Sequence, residues 1–323
     1  MNSGAAVMGA AATGAVDIGG TKIAVGAIDA AGRVLGREDT PTAAGEGFDA
    51  AMSRIARLLN NVSANAGIKL DGIGIGCTGP VDPLSGTIGE VEFLPGWNGA
   101  NPVTTLADRF GVEVAMENDA DAAALAELQW GAGRGRRNLI CVTIGTGIGG
   151  GIVLNGALYR GVGGAHPEIG HHVIDDSGPQ CYCGARGCWE VLASGPAIAA
   201  HARAALPPDD VQRATLTAAE LCARARRGDA LAQREVARAG RYLGIGVANL
   251  ISLYTPDAIV LSGSVMESAD LFMPAIRAVV RSHCTQVPAK LVEIDVAALG
   301  NEAPLIGAAA VWRHRFSGGA RPC

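Results

Sequence analysis

The densest chemistry in this chain lies between His166 and Glu190. His166-Pro167-Glu168-Ile169-Gly170-His171-His172 is followed by Cys181-Tyr182-Cys183 and then by Cys188-Trp189-Glu190. Three thiols and an imidazole at this spacing can close a tetrahedral zinc shell. Isolated cysteines and histidines often serve as buried filler. Here three of the eight cysteines fall in one C-x-C-x4-C run, and Gly184 and Gly187 inside it allow the tight turns a chelating knuckle needs. Four protein ligands leave no open coordination position, so the expected role is structural. His166, His171 and His172 compete for the fourth place, and spacing alone does not choose among them. Glu168 and Glu190 are not needed as ligands, which leaves them for another task. The segment reads as a structural zinc that keeps a substrate pocket in shape.

Two glycine-rich turns offer a second kind of chemistry. Asp17-Ile18-Gly19-Gly20-Thr21-Lys22 joins two strand-like runs. Glycines let backbone N–H groups approach phosphate oxygens, and Thr21 and Lys22 add a hydroxyl and a positive charge. Asp17, at the strand end, is suited to hold Mg²⁺ through water. The second turn is Thr143-Ile144-Gly145-Thr146-Gly147-Ile148-Gly149-Gly150-Gly151. Glycines in strands also mark bulges or close packing, so one such turn alone says little. Gly145 to Gly150 satisfies the dinucleotide G-x-G-x-x-G spacing, which requires a helix after the turn. Residues 150–154 read as a strand, and this excludes a Rossmann dehydrogenase. Two phosphate turns fit a kinase or ATPase of the actin-like type.

A candidate catalytic carboxylate lies in Glu117-Asn118-Asp119-Ala120-Asp121, which follows a strand and opens a helix. Asn and Asp are good N-caps, but one cap suffices and this segment offers four polar groups. The carboxyl end of a strand is where open α/β sheets place ligands. A carboxylate there can accept the proton of an attacking sugar hydroxyl, and Asp119 is expected to be that base. Asp121 and Glu127 read as helix-surface charges.

These groups must be positioned by a chain of 323 residues, long enough for two lobes. With 49% hydrophobic and 18% charged residues it is a well-cored globule rather than a disordered chain. The net charge of −5 and the absence of a basic block argue against a nucleic-acid partner. Residues 1–13 read as a flexible lead-in, neither signal peptide nor membrane span. The cysteines outside the knuckle include Cys77 and Cys141 in strand-like runs and scattered Cys222, Cys284 and Cys323. That is reduced, cytoplasmic usage. Strands are expected at 14–28 around the first turn and at 33–40, 72–77, 112–116, 138–144, 150–154, 258–262 and 291–296. Helices are expected at 48–64, 120–130, 196–205, 217–227, 229–254, 265–283 and 303–315. The fold class is therefore α/β, with two duplicated lobes and an interlobe cleft. Residues 14–132 would form the first lobe, with the helix at 303–315 packing back on it. Residues 133–302 would form the second, carrying a zinc-knuckle insertion at 166–190.

Together, Asp17 to Lys22, Glu117 to Asp119, Thr146 to Gly151, Glu168 to His171 and Cys181 to Glu190 resemble the ROK family (repressors, open reading frames, kinases). The resemblance runs from about residue 14 to about 312. It implies a ribonuclease-H/actin-like pair of lobes that close on a hexose and ATP, as a homodimer. Asp119 would deprotonate the sugar 6-hydroxyl. Asn118, Glu168, His171 and Glu190 would contact other hydroxyls, and Gly79 and the loop Pro95-Gly96-Trp97-Asn98 would line the sugar side. Zinc would be held by His171, Cys181, Cys183 and Cys188. Mg-ATP would be held by Asp17, Gly19, Gly20, Thr21, Lys22, Thr146, Gly147, Gly149, Gly150 and Gly263. Near the adenosine end such kinases show a run of glycines, where this chain reads Leu261-Ser262-Gly263-Ser264-Val265. Ala165-His166-Pro167 resembles fructokinase-like members, whereas the full knuckle with Trp97-Asn98 resembles glucokinases and N-acetylhexosamine kinases.

The expected function is an ATP-dependent hexose kinase with glucose as the preferred acceptor. Fructokinase and N-acetylmannosamine or N-acetylglucosamine kinase are the enzyme alternatives. A sugar-responsive repressor needs a helix-turn-helix before the first turn, and only sixteen residues precede Asp17. A non-catalytic sugar-binding regulator is the remaining non-enzyme reading, opposed by the intact Asp17, Asp119 and both turns.

Overall fold

Apolar runs punctuated by glycine, with helical periodicity following each strand group, predict alternating strands and covering helices. The computed structural model bears this out over residues 11–207, 209–211 and 213–316, the residues described here. Residues 1–10 of the expected lead-in, and Cys323, lie outside them. Ala11–Thr13, also assigned to the lead-in, begin the first strand, Ala11–Ile18. The described chain forms two compact units, 11–135 with 156–166 and 299–316, and 136–155 with 167–298. Residues 133–135, 156–166 and 299–302 thus belong to the first unit, not to the second lobe as the sequence reading had them.

The first unit is built on a five-stranded mixed sheet in the order Val34–Pro41, Lys22–Ile28, Ala11–Ile18, Lys69–Cys77, Glu113–Asn118. The first three form an antiparallel meander and the last three run parallel. In register, Asp17 lies opposite Gly76, Ile18 opposite Cys77, and Cys77 opposite Asn118. The carboxyl ends of the parallel strands therefore carry the polar residues singled out above. Helices Phe48–Ala66 and Pro102–Phe110 cover one face, where Ile55, Leu59, Ile73, Ile75 and Trp97 are core. Pro102–Phe110 was not anticipated: it is short, buries only Pro102 and Leu106, and is specified by the Asn101 cap and the proline after it. Helices Asp119–Trp130 and Ala303–Phe316 cover the other face. Gly74 permits this: a Cβ there would lie 1.8 Å from the Ala308 carbonyl oxygen, so the helix rests on the strand backbone itself.

The second unit carries Ile148–Leu154, Leu139–Ile144, Ala258–Ser262 and Glu293–Val296 side by side, the first pair antiparallel and the rest parallel. Its helices match the sequence expectation closely: Gly195–Ala205, Ala218–Arg226, Ala230–Tyr254 and Ala269–His283. Their starts are written locally. Ser194 caps the first, Thr217 and Glu220 form a capping box on the second, and Asp229 caps the third. One core runs through Ile140, Trp189, Leu243, Val247, Ile259 and Phe272. Among the described residues, no helix is long and apolar enough to cross a membrane.

Candidate active site

In the first unit the candidate site grows from the strand ends. The Asn118 side chain caps the helix Asp119–Trp130 by accepting the Ala120 N–H at 2.9 Å, and Asp119 Oδ1 accepts the same N–H at 2.8 Å. Asp119 is exposed and stands at the first helical position. Gly79 leaves space for Asn118, since a Cβ there would lie 2.7 Å from its amide nitrogen. Asp17 is half-buried, and desolvation first, then the nearby Asp119 charge, raise its pKa to about 7. Two carboxylates in one pocket favour a bound cation or a shared proton. The first glycine turn closes with Gly19 N–H on the Lys22 carbonyl at 3.0 Å. Buried Thr42 braces it, donating its hydroxyl to the Gly19 carbonyl at 2.6 Å and its N–H to that of Thr21 at 2.9 Å. Lys22 pairs with Asp39 at 3.6 Å, and its charge partly opposes the rise at Asp17.

Two sequence expectations are revised in this unit. Asp121 is fully buried and Glu127 is 1% exposed, so neither is a helix-surface charge. Asp121 Oδ2 accepts from Arg160 at 2.8 Å and meets His166 Nδ1 at 2.7 Å, whereas Glu127 accepts the N–H groups of Ala132 at 2.7 Å and Leu299 at 3.2 Å. His166 is thereby occupied by a carboxylate rather than by zinc. Trp97 is a core residue, edge-on to Phe48 at 5.4 Å between ring centres. Asn98 follows it on an exposed turn.

In the second unit, His171 Nδ1 and the sulfurs of Cys181, Cys183 and Cys188 all lie within 4.8 Å of one another. Cys181 Sγ is 3.5 Å from His171 Nδ1 and Cys183 Sγ is 3.6 Å from Cys188 Sγ. A zinc–sulfur bond of about 2.3 Å gives tetrahedral sulfur–sulfur edges of about 3.8 Å, so the donor set fits zinc. Burial and the adjoining thiols push Cys188 up to about 12, the expected state of packed thiols without a cation to ionise them. His172 is outside the cluster: its Nδ1 meets the Ile169 carbonyl at 2.5 Å and burial lowers its pKa. His171 Nε2 reaches the Tyr182 hydroxyl at 2.9 Å. Glu168 is exposed.

The short helix Trp189–Ala193 follows Cys188 directly and aims Glu190 at the second glycine turn. Glu190 Oε2 accepts the Ile148 N–H at 2.8 Å, and a Cβ on Gly147 would lie 2.4 Å from the same oxygen. The turn closes by Gly145 N–H on the Gly147 carbonyl at 2.9 Å, and the Gly145 carbonyl accepts from Gly195 N–H at 2.8 Å. That contact brings the N-terminus of the helix Gly195–Ala205 to the turn, an arrangement suited to phosphate. A cavity of about 440 Å³ opens there, lined by Gly145, Thr146, Pro196, Leu216, Thr217 and Ser264 among others. Its size and mixed lining suit a nucleotide. Gly149 and Gly150 lie past the turn within a strand, and a Cβ on Gly150 would lie 2.2 Å from Ile169 Cδ1, which makes it a packing position. Gly263 has φ 93° and its Cβ would lie 2.4 Å from the Ile144 carbonyl, so this glycine is required where the expected run of glycines is broken. The walls supplied by residues 195–203, 214–222 and 264–268 were missed by sequence reading. Their sole local signal is the cap-and-proline start Ser194-Gly195-Pro196.

Comparison with known proteins agrees with these features. The glucokinase of Streptomyces coelicolor is 35% identical over 318 residues, covering 93% of this chain and 96% of that protein. The crystal structure of a ROK hexokinase from Thermus thermophilus superposes with a TM-score of 0.80 at 35% identity, covering 95% of this chain and all of that one. A ROK family glucokinase from Streptomyces griseus, in complex with glucose and AMPPNP, gives a TM-score of 0.77 at 34% identity, covering 92% and 98%. The model of the ROK family matches residues 13–315, and the chain belongs to that family.

Proposed function

We propose that this chain, an ATP-dependent sugar kinase, transfers the γ-phosphoryl group of ATP to the 6-hydroxyl of glucose, with Asp119 as general base. The observation that carries the reading is Asp119 at the carboxyl end of the parallel strands, beside the half-buried carboxylate of Asp17. The similarity to a glucokinase and to a glucose-bound ROK structure supports glucose as acceptor.

The Asp119 carboxylate takes the proton of the 6-hydroxyl as its oxygen bonds to the γ-phosphorus. The bond from that phosphorus to the β,γ-bridging oxygen breaks, and ADP and glucose 6-phosphate result. Asn118, Gly79 and Asn98 of the first unit, and Glu168, His171 and Glu190 of the second, are the proposed sugar contacts. Gly19, Gly20, Thr21 and Lys22, with Thr146, Gly147, Gly149, Gly150 and Gly263, are the proposed donor contacts. Mg²⁺, held through Asp17, supplies charge neutralisation on the phosphates. Zinc on His171, Cys181, Cys183 and Cys188 holds the sugar-side segment in shape. The same reading makes the protein a cytoplasmic homodimer.

Glucose and mannose differ at a single hydroxyl, and a site rejects the wrong epimer only by leaving its own polar groups unpaired. The test is an ADP-release assay with Mg-ATP across glucose, mannose, fructose, allose, N-acetylglucosamine and N-acetylmannosamine. Glucose should give the highest kcat/KM. Asp119→Asn should lower kcat about 10³-fold at nearly unchanged KM. Preference for another sugar would overturn the acceptor, and near-wild-type turnover by Asp119→Asn would overturn the base.

A further inference from the structure

The residues flanking the proposed base are both charged and neither is solvent-facing. Glu117 precedes Asn118, and Asp121 lies two positions beyond Asp119. Glu117 ends a strand and Asp121 sits in the first turn of the next helix, so the pair straddles the junction that carries Asn118 and Asp119. A single guanidinium spans that junction: Arg160 Nη2 bonds Glu117 Oε2 and Arg160 Nη1 bonds Asp121 Oδ2 at 2.8 Å. His166 adds a second contact to Asp121 Oδ2 at 2.7 Å. Asp121 Oδ1 is buried without a hydrogen-bond partner. Arg160 and His166 both come from 156–166, the short segment that joins the first unit from outside its main run.

Resting on the kinase reading above, we propose that Arg160 and His166 are positioning residues, a clasp that fixes the strand-to-helix turn presenting Asp119. The charge arithmetic favours a purpose beyond stability. Two carboxylates face one guanidinium, and burial pushes Glu117 up to about 7, with Arg160 opposing and Asp121 adding to that rise. A buried ionic group of this kind costs desolvation that an apolar substitute would avoid. What it provides is direction. The planar fork holds both ends of the turn in one geometry, which a lysine's single point charge cannot do. A base displaced by about an ångström loses up to about 10²-fold in rate.

The test uses the full-length, zinc-loaded protein and compares Arg160→Lys, His166→Ala and His166→Asn with wild type. Arg160→Lys and His166→Ala should each lower kcat about tenfold, with KM for hexose and ATP within about threefold. His166→Asn, whose amide can still donate to Asp121, should recover most of the loss. Unchanged kcat in both variants overturns the clasp. So does a loss confined to KM, or one that follows melting temperature and is not rescued by Asn. If Arg160→Lys fails to fold, the two His166 variants decide. A wild type inactive on every hexose refutes the kinase reading instead. The clasp is then judged by hydrogen exchange: faster exchange across 117–124 in His166→Ala upholds it, and unchanged exchange overturns it.

Discussion

The two glycine turns share a plan and differ in charge. In both, a buried strand ends in a glycine turn and a second strand returns antiparallel, with Ile18 paired to Ile23 and Ile144 to Ile148. The residue before the last isoleucine is Asp17 in one and Thr143 in the other. The first turn therefore carries a half-buried carboxylate beside a second carboxylate, a pair that favours a cation alongside any phosphate. The second turn holds no ionised side chain of its own. It is met by a helix N-terminus and tethered from below by Glu190. One backbone device thus meets a pair of carboxylates in one unit and a helix N-terminus in the other.

Breaking the first turn should have the largest effect. Asp17→Asn is expected to lower kcat about 10²-fold with Mg-ATP, measured by ADP release. The same change should stabilise the ligand-free protein at pH 8. A carboxylate whose folded pKa is about 7 against 3.8 unfolded costs stability as pH rises through that window, so melting temperature should fall less from pH 4 to 8 in Asp17→Asn than in wild type, with Glu117 contributing the same sign in both.

Zinc removal sharpens the contrast next. Because Glu190 follows Cys188 by two positions, chelation should loosen 166–190 and the turn at 143–151, while the turn at 17–22 keeps its hydrogen-exchange protection. Equal loosening of both turns would remove the distinction. A smaller effect is expected from Gly147→Ala, whose Cβ would fall 2.4 Å from Glu190 Oε2: about a tenfold rise in KM for ATP and a loss of roughly 1–3 kcal/mol in stability. The smallest belongs to Gly145→Ala, where the nearest atom to the new Cβ is Ser264 Oγ at 3.7 Å. Both parameters should stay within about twofold of wild type.

What was legible in the sequence was local. The glycine turns, the knuckle and the capped helix after Asn118 each complete their geometry within eighteen residues, so residue type and spacing point to them. Asp121 and Glu127 were misread because their partners come from far along the chain, Arg160 and His166 for one and Leu299 for the other. A charge on a helix looks solvated until the element that covers it is known. The cavity beside the second turn failed for the same reason, since three further separated segments complete its walls.

The helix Ala303–Phe316 lies on strand Lys69–Cys77, where Gly74 lets backbone meet backbone. More than two hundred residues separate the two in the chain. During synthesis at roughly 5–20 residues per second, the strand waits some tens of seconds for its cover. In that interval the helix Asp119–Trp130 alone covers this sheet face of the nascent first unit, which stays partly open while nearly all of the second unit emerges. The protein should therefore depend on chaperones for its beginning rather than its middle, and a ribosome stalled before residue 303 should release an aggregation-prone chain.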